Sequence, residues 1–320
     1  MGFLFVGSVG VVPQWFSKHR SVANGVATGG SGIGGMVYSL AANSMIQNLG
    51  LGWAFRILAI VQFTANFLST VIIRDRNKQV GSTNLAFDYR LFKKWEFLLV
   101  LGWGIFSMLG YIVLLFSLPD FAQSVGLTAR QGSIINAVMQ LGQGLGRPVV
   151  GIFSDGAGRI NMAGFMTFFC GLICFLIWIF AKTYGVLLFF AFLVGTVAGT
   201  FWTCIGPVGA EVLGLKELAS GLSITWLILV IPTTFAEPIA LKLRQSTGNI
   251  YLHAQLFTAF MYIGAALCML FLRGWKIGQV QSKDGVEEKS HEVLASTESG
   301  EAGHDKRTNR VRRLFMFRRV

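Results

Sequence analysis

Four polar side chains, Asn136, Gln140, Gln143 and Arg147, follow one another at intervals of four, three and four residues within the apolar, glycine-rich segment 131–153. That spacing puts them on one face of an α-helix. A polar row is costly against lipid, so it faces protein or a water-filled cavity. An arginine on such a face keeps its charge and can grip a carboxylate through two parallel N–H donors. The chemistry on offer is recognition of an organic anion by Arg147, with Gln143, Gln140 and Asn136 as neutral neighbours. Hydrogen bonding between helices, with no ligand, is the plainer use of the same row.

Glu237, followed by Pro238, is the other candidate for a charge deep within an apolar segment. It can pair with Arg147, take up a proton or line the same site. Close to Lys242 and Arg244, it can also be a solvated carboxylate at a segment end. Tyr111, Trp202, Thr203 and Trp226 are candidates for the cavity wall, and Arg56, after Trp53, reads as an interfacial anchor.

Enzyme chemistry finds little support. His19, His253, His291 and His304 are scattered without metal-ligand spacing, and no G-x-S-x-G elbow occurs. Cys170, Cys174, Cys204 and Cys268 all lie in apolar runs and read as small core residues. The run Gly30-Ser-Gly-Ile-Gly-Gly35 fits G-x-G-x-x-G. A dinucleotide site also needs a preceding strand and an acidic residue about 20 positions on. Here the glycines lie inside an apolar helix, where glycines four apart serve close helix packing. No cofactor or metal is expected.

The elements that must position these residues are membrane helices. Hydrophobic residues make up 53% of the 320 and charged residues 13%, about half the charged share of a soluble domain. A helix needs about 20 mostly apolar residues to cross a bilayer core. Nine segments qualify: 1–16, 23–46, 53–73, 95–118, 131–153, 162–181, 186–208, 221–242 and 251–272. The net charge of +12 is carried between these segments and at the C-terminus, which speaks for orientation and against nucleic acid. Connections 17–22, 74–94, 154–161 and 211–220 are basic, whereas 47–52, 119–130, 182–185 and 243–250 hold only Arg130, Lys182 and Arg244. The positive-inside bias puts the basic set and the C-terminus in the cytoplasm. The expectation is an all-α, multi-pass integral membrane protein, in the plasma membrane rather than the vacuolar membrane. The tail ends Arg310-Val-Arg-Arg-Leu-Phe-Met-Phe-Arg-Arg319, which can hold anionic lipid at about 1 kcal/mol per basic residue.

Gly151-Ile-Phe-Ser-Asp155-Gly-Ala-Gly158-Arg159 resembles the G-x-x-x-D-x-x-G-R loop signature of the major facilitator superfamily. The resemblance implies a cytoplasmic loop in which Asp155, Gly158 and Arg159 act in gating. Three further stretches are similar to the monocarboxylate-transporter branch, its fungal members in particular. They are WFSKHRSVANGVATGGS from Trp15 to Ser31, FSMLGY ending at Tyr111 with the following LPDF of 118–121, and Gly146-Arg147-Pro148. The branch's arginine at the last position is implicated in binding the substrate carboxylate.

Carried over, the resemblance makes this chain helices four to twelve of a twelve-helix transporter. Residues 1–73 become the remaining three helices of the N-terminal bundle, and 74–94 the central cytoplasmic loop. Residues 95–273 become the six-helix C-terminal bundle, followed by a disordered basic tail over 274–320. The implied function is secondary active transport of small organic anions, monocarboxylates first, by alternating access, with protons as a candidate co-substrate. Animal members place an aspartate four residues before the arginine. Gln143 stands there in this chain and cannot carry a proton, which leaves Glu237 as a substitute. Two other readings stand beside this one: a truncated, non-transporting or regulatory membrane protein, and a transporter of a neutral or larger metabolite such as riboflavin.

Overall fold

The structure, a computed structural model, describes residues 8–81, 87–244 and 250–299. The first expected span, 1–16, therefore falls partly outside the described residues, and the basic end 310–319 wholly so. All regular structure among the described residues is helical. Helix α1 (Val12–Trp15) is one turn, and α2 (Arg20–Ile72) is two helices joined at Gly50. The φ of 77° and ψ of 163° at Gly50 are open to glycine alone. A short α3 (Asn77–Val80) and a 3₁₀ turn (Tyr89–Lys93) lead to α4 (Trp95–Ser124), α5 (Ala129–Ala157) and α6 (Arg159–Leu176). Then come α7 (Tyr184–Ala198), α8 (Thr200–Val212), α9 (Leu215–Lys242) and α10 (Leu252–Ser299).

Among the described residues, six stretches are long and apolar enough to cross a membrane: Ser44–Ile72, Trp95–Ser124, Arg159–Phe180, Tyr184–Val212, Leu215–Lys242 and Leu252–Ser282. Of the nine expected, 1–16 falls partly outside the described residues, and for the other two, 23–46 and 131–153, the reason lies in the residues. The first part of α2 carries a run of Gly, Ser and Thr, and α5 carries Asn136, three glutamines and Arg147. Both are helical but too polar to pass on apolarity alone. A second difference concerns the end of the chain. Helix α10 continues to Ser299, so 274–299, expected to be unstructured, is helical.

Pattern and propensity explain the individual helices. Thr128 caps α5: its hydroxyl accepts from the Gln131 N–H at 3.2 Å, and the Gln131 side chain accepts from the Thr128 N–H at 2.9 Å. This reciprocal pair satisfies two N–H groups that a helix start leaves over. The Leu51–Ile72 part of α2 carries Phe55, Phe63, Phe67 and Val71 in exposed positions, and none of its apolar window is buried. A helix apolar on all sides belongs in lipid. The remaining apolar helices pack around Trp103, Trp178, Phe190 and Phe201, all essentially buried. The Trp103 indole N–H donates to the Thr167 hydroxyl at 3.2 Å, which settles its one polar atom.

Helix α5 lies between α2 and α7, and small residues let both approach. A Cβ on Gly32 would fall 2.3 Å from the Gly144 nitrogen, and one on Gly146 would fall 2.4 Å from the Thr196 Cα. Pro148 has no N–H to give the carbonyl of Gly144. That carbonyl lies against Gly29, where an added Cβ would come within 3.1 Å. Packing of this kind, rather than exclusion from water, holds helices together in a bilayer. Gly146→Ala is accordingly expected to destabilise the protein by about 1–3 kcal/mol, the usual effect of overpacking. Thermal unfolding followed by tryptophan fluorescence measures it, and an unchanged midpoint would contradict the packing described.

Candidate functional site

The α5 row converges on Arg147, which is 5% exposed. Its Nη1 donates to the Thr28 carbonyl at 2.7 Å and to the Ser31 hydroxyl, both on α2. Its Nη2 donates to Gln143 Oε1 at 2.7 Å. The same oxygen accepts from the Tyr111 hydroxyl at 3.0 Å, and Gln143 Nε2 donates to Gln140 Oε1 at 2.8 Å. Spacing of three and four residues thus does what the helix period predicts, passing one hydrogen-bond chain along a single face. The Nε of Arg147, buried against Gly199, has no hydrogen-bond partner among the described residues. A Cβ at Gly199 would lie 2.7 Å from that nitrogen, so only glycine gives the guanidinium room.

Asn136 lies on the same face, but its Oδ1 is buried without a hydrogen-bond partner among the described residues and does not join this chain. Trp202 stands beside Tyr111, ring centroids 6.3 Å apart. Glu237 does not close on Arg147: its Oε1 accepts from the Ser117 hydroxyl at 2.9 Å. The charges that act on Glu237 are Asp120 and Arg244. These two pair with each other at 2.8 Å, and the Tyr251 hydroxyl also donates to Asp120. Of the alternatives open to Glu237, the pair with Arg147 is replaced by this hydroxyl contact, because Ser117 on α4 stands between the helices where α9 presents the carboxylate.

The second cluster lies where α5 passes into α6. Asp155 accepts from the Ser21 N–H at 3.0 Å and from the Val22 N–H at 3.0 Å, the first N–H groups of α2. A carboxylate there meets both unsatisfied donors and the positive end of the helix dipole. Arg159 reaches Asp155 at 3.3 Å, the Ser17 carbonyl at 3.1 Å and Glu211 at 3.9 Å. Gly158 makes the junction, with φ 101° and ψ 135°, a backbone that side chains rarely adopt. Burial and the Arg159 charge lower the pKa of the Arg20 guanidinium, while Glu211 and Asp155 raise it. Asp155 and Glu211 thus pair with Arg159 and offset its repulsion of Arg20.

The residues that sequence reasoning missed are the partners on α2. Thr28 and Ser31 hold Arg147, Ser21 meets Asp155, and Asn24 donates to the Thr203 carbonyl at 2.5 Å. A signal for them existed. Asn24, Thr28 and Ser31 repeat the four-then-three spacing of Asn136, Gln140 and Gln143, on the helix that carries the glycine run.

Comparison with known proteins fits this arrangement. A family model described as Major Facilitator Superfamily matches residues 1–231. The Probable transporter MCH2 of Saccharomyces cerevisiae is 32% identical over 286 residues, covering 87% of this chain and 60% of that protein. The Uncharacterized transporter ESBP6 of the same yeast is 29% identical over 293 residues, covering 87% and 43%. The Fujikurins efflux protein of Gibberella fujikuroi is 25% identical over 278 residues, covering 83% and 58%. The chain thus spans less than two thirds of the length of each of these relatives. With its apolar helices and the family match over most of its length, the chain is a multi-pass membrane protein that belongs to the Major Facilitator Superfamily.

Proposed function

We propose that the chain serves transport of small organic anions, monocarboxylates first, by alternating access, with Arg147 as the anion anchor. One observation carries the reading. The Arg147 guanidinium is buried between α2 and α5, and both donors of its Nη1 are held by α2. A carboxylate that binds this arginine competes with Thr28 and Ser31 for the same donors. Binding is therefore coupled to the contact between α2 and α5, which is how a ligand shifts a two-state equilibrium. Residues 1–73 and 95–273 would be the moving units, with 74–94 joining them. The Asp155–Arg159 cluster, on the cytoplasmic side by the positive-inside bias, would latch the inward end.

Gln143 accepts from both Arg147 and Tyr111 and has no proton to exchange. The proton carrier in this reading is Glu237. The charged and titratable groups around it are Asp120 of α4, Arg244 after α9 and Tyr251 before α10. Its second oxygen, Oε2, is buried without a hydrogen-bond partner among the described residues, where a proton relieves the cost of a lone carboxylate oxygen. Glu237→Gln mimics the protonated form and is expected to leave anion binding intact while abolishing the pH dependence of uptake. Retained pH dependence would exclude this carboxylate as carrier. The function itself is tested by equilibrium binding of acetate, lactate and pyruvate against riboflavin. The carboxylates are expected to bind and riboflavin is not; the reverse result would favour a neutral, larger cargo.

A further inference from the structure

The lipid-facing part of α2 ends at Ile72, and a knot of polar and basic residues begins directly after it. Ile73 is extended, and Arg74, Arg76 and Lys78 follow. The end of α1 folds onto this stretch from 62 residues away along the chain, where the Arg76 N–H donates to Gln14 Oε1 at 2.9 Å. Gln14 Nε2 donates to Asn77 Oδ1 at 2.7 Å, and the Trp15 indole N–H donates to the Arg74 carbonyl at 3.0 Å. The Arg76 guanidinium lies over the Trp15 ring, 4.9 Å from its centroid. None of Arg74, Arg76 and Lys78 takes part in an ion pair among the described residues. Asp75, the acidic residue between them, accepts from the Asn77 amide at 3.0 Å instead. Arg74 and Lys78 are exposed, and so are Trp15, Phe16, Ile72 and Ile73. Open apolar side chains beside unpaired cations suit a membrane–water boundary, where indoles lie at headgroup level and basic side chains reach past them. The positive-inside bias makes this the cytoplasmic boundary, whose leaflet holds anionic lipid.

We infer that this knot binds an anionic phospholipid of the cytoplasmic leaflet, its headgroup meeting Arg74, Arg76 and Lys78 and its acyl chains lying along Leu51–Ile72. Charge and continuity name the occupant. The three cations lack a counter-charge, and they begin where a helix with none of its apolar window buried comes to an end. A soluble phosphate would satisfy the cations but leave Trp15, Phe16 and Ile72 open to water. A zwitterionic lipid would cover those side chains but bring its own cation against the arginines. A lipid with a net negative headgroup satisfies both demands. Bound there, it would brace the start of connection 74–94 against the end of α1. The inference is independent of the anion reading, since none of these residues belongs to the Arg147 network.

Native mass spectrometry of the purified chain, titrated with phosphatidylserine or phosphatidylcholine of the same acyl chains, resolves each lipid bound. The first phosphatidylserine is expected to bind at least about tenfold tighter than the first phosphatidylcholine, each basic residue near the headgroup being worth about fivefold. Two double variants then remove equal charge from the same connection, in both cases at exposed side chains. Arg74→Gln with Lys78→Gln should weaken phosphatidylserine about tenfold or more and leave phosphatidylcholine unchanged. Arg90→Gln with Lys93→Gln should shift neither lipid by more than about twofold, because charges away from the site are screened. Equal affinity for the two lipids, an unaltered phosphatidylserine affinity in the first variant, or equal losses in both variants would each overturn the inference. Glycerophosphoserine, the same headgroup without acyl chains, should not compete. Competition by it would mean a site for soluble phosphates and would overturn the lipid assignment.

Discussion

Arg147→Ala is expected to weaken binding of every carboxylate by about thirtyfold to a thousandfold or more. Truncating one partner of a buried, hydrogen-bonded charge pair costs about 2–5 kcal/mol, and each 1.4 kcal/mol is tenfold in affinity. Three features put this residue at the high end. It is buried, it contacts α2 and α5 together, and Gly199 leaves space for no other side chain at its Nε. Arg147→Lys should recover only part of the loss, because an ammonium keeps the charge but not the planar fork that engages Gln143, Thr28 and Ser31 together. Titration calorimetry with acetate reads the effect, and a thermal melt of each variant separates loss of binding from loss of fold. If both variants bound carboxylates as the unaltered protein does, the anchor would have to lie elsewhere.

The second large effect is expected at Asp155. Its carboxylate serves the start of α2 and the Arg159 side chain at once. Loss of a helix N-cap costs about 0.5–2 kcal/mol. Here the loss also leaves Glu211 as the remaining carboxylate that offsets the repulsion between the Arg20 and Arg159 charges. Asp155→Ala should therefore release the end of α2 from α5. Ser154 and Ser21, fully buried side by side with hydroxyls 3.3 Å apart, report on that contact. A cysteine at position 154, in a protein with Cys268 changed to serine, should react with a water-soluble maleimide at least about tenfold faster once Asp155 is alanine. Asp155→Asn, with one acceptor oxygen left, should fall between. Equal labelling in all three would remove the latch role.

Much of this site was legible before any coordinates, and the reasons differ by residue. The α5 row stood out because a 3.6-residue period of polar groups is conspicuous in an apolar background. The Asp155–Arg159 loop stood out through its resemblance to a family signature, and its chemistry followed only when Ser21 and Val22 were found against the carboxylate. The partners of Arg147 were hidden by distance along the chain. Thr28 and Ser31 lie 119 and 116 residues away, and no local periodicity joins them to α5. Glu237 shows the opposite case. A carboxylate and a guanidinium within apolar helices suggest a pair, but helix register decides which groups meet, and it gave Glu237 to Ser117. The span count departed from expectation because Gly, Ser and Thr in α2, and Gln in α5, trade apolarity for close contact between those helices. Helix α10 runs on to Ser299 because Lys, Glu and Gln, although charged or polar and poor in core-forming surface, are good helix formers.

Uptake into proteoliposomes tests the central claim most directly. Radiolabelled carboxylates, aliphatic and aromatic, would be offered to vesicles that carry the protein, with and without an imposed inward proton gradient. The account predicts uptake of at least one carboxylate above empty vesicles, competition by unlabelled carboxylates but not by neutral analogues, and loss of that uptake in Arg147→Ala. Carboxylate uptake that persists unchanged in Arg147→Ala, or transport of a neutral solute alone, would contradict it.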